Sequence, residues 1–211
     1  MSLLVVLIIG FAGAFLMFLG DMTLYFSKDD YKHDGTLNPI IDIMKKAGTK
    51  RLYIGGMIGP LTAFLYCIGY YHLVLFAKDG FAWLGWLLFL INSLGIICGG
   101  AYHSHCANLG LIGRHEDEDT LKEVTSFLDF QKKVAFGIQA IGFIGMSFMI
   151  VMGWSVLPRW MIAFTPLVLI LLLPLVRKLP KGIHMVVCGG WTNMISVIYY
   201  AAAIVCVLIK R

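Results

Sequence analysis

Charge is what this sequence has least of. Asp, Glu, Lys and Arg make up 14% of its 211 residues, against roughly a quarter in an ordinary soluble domain. A water-soluble fold of this size is thereby excluded, because it would expose more apolar surface than water tolerates. Alternating ten-residue strands are also missing, so a transmembrane barrel is excluded in favour of helices. The five cysteines, Cys67, Cys98, Cys106, Cys188 and Cys206, include no Cys-x-x-Cys pair. Neither a disulfide scaffold nor a zinc ribbon is expected from them. There is no His-Glu-x-x-His and no His-x-x-x-His. The formal charge is +5, but no basic stripe interleaves with aromatics, so no nucleic-acid partner is expected.

What is there is hydrophobicity in blocks: 59% of residues are hydrophobic, with a mean hydropathy of +0.83. The expected fold is all-α, a single integral membrane domain over residues 1–211 and a bundle of about six transmembrane helices. The segments are 3–26, 52–76, 83–103, 134–156, 160–176 and 184–209. Each is roughly 17 to 26 residues, enough for an apolar core of ~30 Å at ~1.5 Å per residue. Residues 3–20 lack a preceding basic region and a small-x-small cleavage site, so they read as a retained first helix rather than a signal peptide.

Orientation follows from Lys and Arg. Thirteen of the 17 fall in the first, third and fifth loops; Lys78, Arg159, Lys210 and Arg211 are the four on the other side. The positive-inside rule then puts those loops in the cytoplasm and both termini outside. Trp83, Trp86, Trp154 and Trp160 fall at the outer interface, where aromatic belts form.

Two cytoplasmic loops carry short helices. In the first, Asn38 is placed to cap a helix starting at Pro39 and stopping at Gly48, with Ile40, Ile41, Ile43 and Met44 on its apolar face. In the third, Thr120-x-x-Glu123 reads as a capping box ahead of Leu121, Val124 and Leu128. Both serve either as an interfacial lid or partner surface, or simply as packing under the bundle.

Ionisable groups inside a span are costly and therefore functional candidates. Asp21 follows eighteen uncharged residues from Leu3 to Gly20 and lies about one turn inside the interface that Tyr25 and Phe26 mark. Segment three ends in a polar cluster, Tyr102-His103-Ser104-His105-Cys106-Ala107-Asn108. Gly99 and Gly100 are placed to bend or break that helix. Gly95-x-x-x-Gly99 and Gly55-x-x-x-Gly59 suit close helix packing. Segment six adds Trp191, Thr192 and Asn193, with Asn193, Ser196 and Tyr200 on one face. Gln139 lies at a similar depth in segment four. Tyr66, Tyr70, Tyr71 and His72 read as an ordinary outer-interface set.

These residues converge on the cytoplasmic half, so a polar cavity is expected there. Asp21, His103 and His105 are the catalytic candidates, since histidine titrates near neutral pH. Tyr102, Asn108, Gln139, Trp191, Thr192 and Asn193 are the substrate-binding candidates. Zinc is the cofactor the pattern admits, held by Asp21, His103 and His184; Cys188 shares the face of His184 at i+4. Ser104 and Cys106 are weaker candidates as nucleophiles. The leading expectation is an intramembrane enzyme whose partner is membrane lipid or a lipid-like or small hydrophobic ligand. The alternatives are a small-solute transporter, for which a homodimer would supply the missing helices, and an accessory subunit. The plain competing reading is a hydrogen-bonded knot that only packs helices.

Overall fold

The computed structural model describes residues 2–27, 37–115 and 118–209, without the side chains of residues 38, 39 and 181. Lys28, Lys32, Lys210 and Arg211 of the charge count therefore lie outside the described residues. Among the described residues the chain is helical, with no strand; a single bridge pairs Ala77 with Ser155. Five helical stretches are long and apolar enough to cross a membrane: Leu3–Tyr25, Thr49–Phe76, Ala82–Gly113, Glu118–Val151 and Trp191–Ile209. Their outward faces carry residues such as Phe64 (67% exposed), Leu90 (59%) and Ile141 (60%), a surface suited to lipid.

Helix α1 (Leu3–Tyr25) is followed by α2 (Asn38–Lys46) and α3 (Thr49–Tyr70), which continues after a kink into α4 (His72–Phe76). Helix α2 turns Ile41 and Met44 inward against Leu109 of the third spanning stretch. Asn38 is its first helical residue rather than its cap, which is Leu37; Asn38's side chain is outside the described atoms. The helix leaves at Ala47, and Gly48 opens α3 with an ordinary negative φ of −62°. Arg114 ties this corner down by donating to the carbonyls of Lys45 and Ala47 and to Thr49 Oγ1. Arg51 likewise donates to the carbonyls of Thr23, Leu24 and Phe26, which α1's end leaves without helical partners. Both arginines do structural work that their loop positions concealed.

Helix α5 (Ala82–Gly113) runs unbroken through Gly99 and Gly100, against the expected break. Gly100 is needed for close approach instead. A Cβ there would sit 2.8 Å from Ala63 Cβ and 2.9 Å from the Gly59 carbonyl oxygen, and one on Gly59 would collide with His103 Cβ. Gly56 and Gly59 thus seat α3 on α5, with Gly59 fixing the height of His103, while Gly55 packs on Leu24 of α1.

Helix α6 (Glu118–Val151) is a single helix of 34 residues, so Thr120 lies within its first turn and does not cap a separate loop helix. No Gly or Pro occurs between Glu118 and Phe136 to interrupt it. At ~1.5 Å per residue it is ~51 Å long, well beyond an apolar core of ~30 Å. It ends where Gly153 turns the chain with φ 73°.

Residues 159–176 do not form one helix. They run as a 3-10 turn (Arg159–Phe164), α7 (Pro166–Leu169), another 3-10 turn (Ile170–Leu172) and α8 (Leu173–Val176). Four of the six prolines, Pro158, Pro166, Pro174 and Pro180, punctuate this stretch, each removing a backbone donor and restarting the chain. Segment six is split as well, into α9 (Lys181–Gly189) and α10 (Trp191–Ile209). The break is at Gly190, where a Cβ would strike the ring of Phe18.

The long helices pack in the order α10, α1, α3, α5, α6. The broken stretch packs against both α6 and α10, which closes the row into a ring. Trp83, Trp86 and Trp160 are exposed, and Trp154 stacks on Phe81 at 4.4 Å. Lys78 N–H donates to the Trp154 carbonyl at 2.9 Å, drawing that end of the bundle together.

Candidate functional site

Inside the ring lies a cavity of about 650 Å³. Asp21, Tyr102, His103, Gln139, Trp191 and Thr192 line it together with Asn193. The structure therefore brings together residues from four separate segments of the sequence. At its wall, Asp21 is 4% exposed and His103 5%. His103 Nε2 is 3.1 Å from Asp21 Oδ1. Asn193 Nδ2 donates to Asp21 Oδ2 at 2.7 Å, and Tyr66 Oη donates to Asn193 Oδ1 at 2.9 Å. One hydrogen-bonded chain thus ties α3, α10, α1 and α5.

The chain fixes which imidazole nitrogen faces Asp21. Asp21 accepts on both oxygens, so Nε2 is the donor, and in the neutral ring Nδ1 is the acceptor. That Nδ1 is buried and has no partner. A buried polar atom without a partner is costly, and here it belongs to a ring on the cavity wall. Trp191 Nε1, a donor, is likewise buried and unpartnered on the same cavity.

Gln139 of α6 lines the same cavity. Its Nε2 donates to Tyr70 Oη and to Asn92 Oδ1, both at 2.9 Å. Gly95 makes room for it, since a Cβ there would lie 2.6 Å from Gln139 Oε1.

Other expected site residues are elsewhere. His105 and Asn108 line a separate groove of about 360 Å³ between α5 and α6, with Leu111, Val124 and Phe127. Two residues along a helix is ~200° around it, so His105 faces away from His103. Its Nδ1 meets Gln131 Oε1 at 2.6 Å, tying α5 to α6. Ser104 donates to the Gly56 carbonyl at 2.8 Å. That carbonyl lost its helical donor because Pro60 sits four residues on. Cys106 is fully buried and accepts from Tyr25 Oη at 3.4 Å. His184 is not on the cavity wall. Among the described residues no three His, Cys, Asp or Glu side chains gather as a metal-holding group, so Asp21, His103 and His184 do not form a shared set.

Tyr66 and Tyr70 are core, not interface: they are 1% and 4% exposed, and both line the cavity. Their i, i+4 spacing on the face of Gly59 and Ala63 was the available signal. His72 is fully buried too, bonded to the Gly69 carbonyl and to Tyr199 Oη, each at 2.7 Å. Lys132 and Arg177, read only as topology charges, also line the cavity.

The cavity reaches the outside of the bundle. Phe136 and Ala140 of α6 line it yet are exposed. Beside them lie exposed apolar residues, Val134 and Ile141 on α6 and Leu171 and Leu175 on the broken stretch. Exposed apolar residues thus border the cavity on this side.

No curated protein and no solved structure matches the chain. A family model described as "Family of unknown function (DUF6796)" matches residues 2–210, and the chain belongs to that family.

Proposed function

We propose that this protein is an intramembrane enzyme acting on a lipid-like substrate, with Asp21 and His103 as its chemical centre. The observation that carries this reading is a buried Asp–His pair whose free imidazole nitrogen lines a cavity bordered by exposed apolar residues of α6. His103 Nδ1 takes a proton from a hydroxyl group in the cavity, and the Asp21 carboxylate steadies the imidazolium that results. Asn193 and Tyr66 hold Asp21 in place. Burial strengthens each of these interactions, because little water competes for them. Residues 160–176 count as a sixth crossing, made by short turns between the end of α6 and α9. On the excess of Lys and Arg, the α2 end of the bundle faces the cytoplasm and both termini lie outside.

Replacing Asp21 by Asn keeps the shape and removes the charge. Cells expressing the wild type should differ in membrane lipid composition from cells expressing Asp21→Asn, with both proteins inserted and purified in equal amount. Identical lipid profiles, together with normal insertion, would reduce the pair to a helix-packing contact.

One feature favours transport as the second reading. The break between α9 and α10 falls beside the cavity, and interrupted helices are a common means of holding a solute at mid-depth. Uptake that depends on Asp21 with no change in lipids would support it.

A further inference from the structure

Resting on the enzymatic reading, the substrate class can be narrowed by the charges around the cavity. Among the described residues Asp21 is the one carboxylate on its wall, and its oxygens are engaged by His103 and Asn193. Two cations, Lys132 and Arg177, share the wall. Among the described residues neither has a carboxylate within ion-pair distance. The nearest acid to Lys132 on its own helix, Asp129, is paired with Lys133 at 2.6 Å.

Both cations sit at the depth of the Asp21–His103 pair. Gln131, the residue before Lys132, bonds to His105 and to the Cys98 carbonyl, which bracket His103 on α5. Arg177 lies beside Cys188, one turn before Trp191 and Asn193. Trp191 adds a buried N–H with no acceptor. Three donors, Lys132, Arg177 and the Trp191 N–H, thus line this part of the cavity. Beyond it the wall turns apolar, with Ile96, Phe143, Leu167 and Ile170. The volume of about 650 Å³ is that of a site for one drug-sized molecule, in the range ~300–1,000 Å³.

We infer that the cavity takes a single-chain amphiphile with an anionic head, carboxylate or phosphate. The head is held by Lys132, Arg177 and the Trp191 N–H, and the chain runs between Phe143 and Leu167 toward the opposite end of the bundle. This arrangement leaves the head-proximal atoms beside His103. It also uses two cations on the cavity wall, Lys132 half-buried and Arg177 exposed at its edge, for which a wholly neutral lipid offers no counter-charge.

The test uses the full-length protein in non-ionic micelles and radiolabelled oleate as probe. Oleate should bind one per chain and be displaced by oleoyl lysophosphatidate, but not by oleyl alcohol or by inorganic phosphate alone. Lys132→Gln with Arg177→Gln should weaken oleate binding about tenfold or more. That double variant should still elute as the wild type does, which separates lost binding from lost folding. Asp21→Asn should keep oleate binding, so failure of the catalytic reading and failure of this one are distinguishable. Equal competition by oleyl alcohol, or unchanged oleate affinity in a well-folded double variant, would overturn the anionic head. Tight binding of inorganic phosphate alone would overturn the chain.

Discussion

His72 and His103 are two buried histidines in one bundle, and they are wired differently. His72 is 0% exposed and His103 5%. Both nitrogens of His72 are used. Nδ1–H donates to the Gly69 carbonyl, and Nε2 accepts from Tyr199 Oη. His103 uses Nε2 toward Asp21 and leaves Nδ1 unpartnered. His72 is also packed between the rings of Phe76, Tyr199 and Tyr200 and does not line the cavity, whereas His103 does. A satisfied histidine with aromatic neighbours is a structural residue. An unsatisfied one, aligned by a carboxylate at the wall of a cavity, has a nitrogen left for chemistry. Burial alone does not separate the two cases; the accounting of each nitrogen does.

The largest expected effect breaks the two apart by function. His103→Gln should lower the proposed lipid-modifying activity by about 10²-fold or more, the usual worth of a general base. His72→Gln should leave that activity within a few-fold. Lipid composition of membranes expressing each variant at matched protein levels reads this out. Equal losses in both would erase the functional distinction between the histidines.

The next effect runs the opposite way, in stability. His72→Phe strands the Gly69 carbonyl and the Tyr199 hydroxyl in the core, at a cost of about 1–3 kcal/mol. Thermal unfolding in detergent should show a clear drop. Adding Tyr199→Phe removes one stranded group and should recover part of it. If the double variant is less stable by the sum of two independent losses, the hydrogen bond is not what holds His72.

Much of this fold is written in the sequence. The five long spans follow from hydropathy, and the shared level of Asp21, His103 and Asn193, which meet by hydrogen bonds, from a rise of ~1.5 Å per residue. What was harder to read has physical causes. The spacing of Pro158, Pro166 and Pro174 was visible, yet the apolar residues between them, such as Leu167 to Leu173, imitate a continuous span. Gly-Gly pairs occur in both α5 and segment six. Only packing decides that Gly100 admits Ala63 while the chain breaks at Gly190 against Phe18. His105 and Asn108 looked like part of one cluster because they are close in sequence, although helical geometry turns them to another groove. Tyr66 looked like an interface tyrosine; its place in the Asn193 chain depends on which helix faces it, and hydropathy does not encode that. Arg51, Arg114, Lys132 and Arg177 share a charge sign but not a role. Two cap helix ends, and two line the cavity.

The smallest effect concerns Ser104, the hydroxyl beside His103 and the most tempting alternative centre. Its Oγ donates to the Gly56 carbonyl, an acceptor left open because Pro60 has no N–H to offer it. Ser104→Ala should therefore cost about 1 kcal/mol of stability and leave the proposed lipid-modifying activity unchanged. The origin of that cost can be tested directly. Pro60→Ala supplies the missing donor to Gly56, and Pro60 is exposed on its helix, so the replacement disturbs little packing. In the Pro60→Ala background, Ser104→Ala should be close to neutral in thermal unfolding. Persistence of the full cost there would mean that the hydroxyl serves something other than the open carbonyl. Loss of activity in Ser104→Ala, with stability intact, would move the chemical centre from the Asp21–His103 pair to the neighbouring serine.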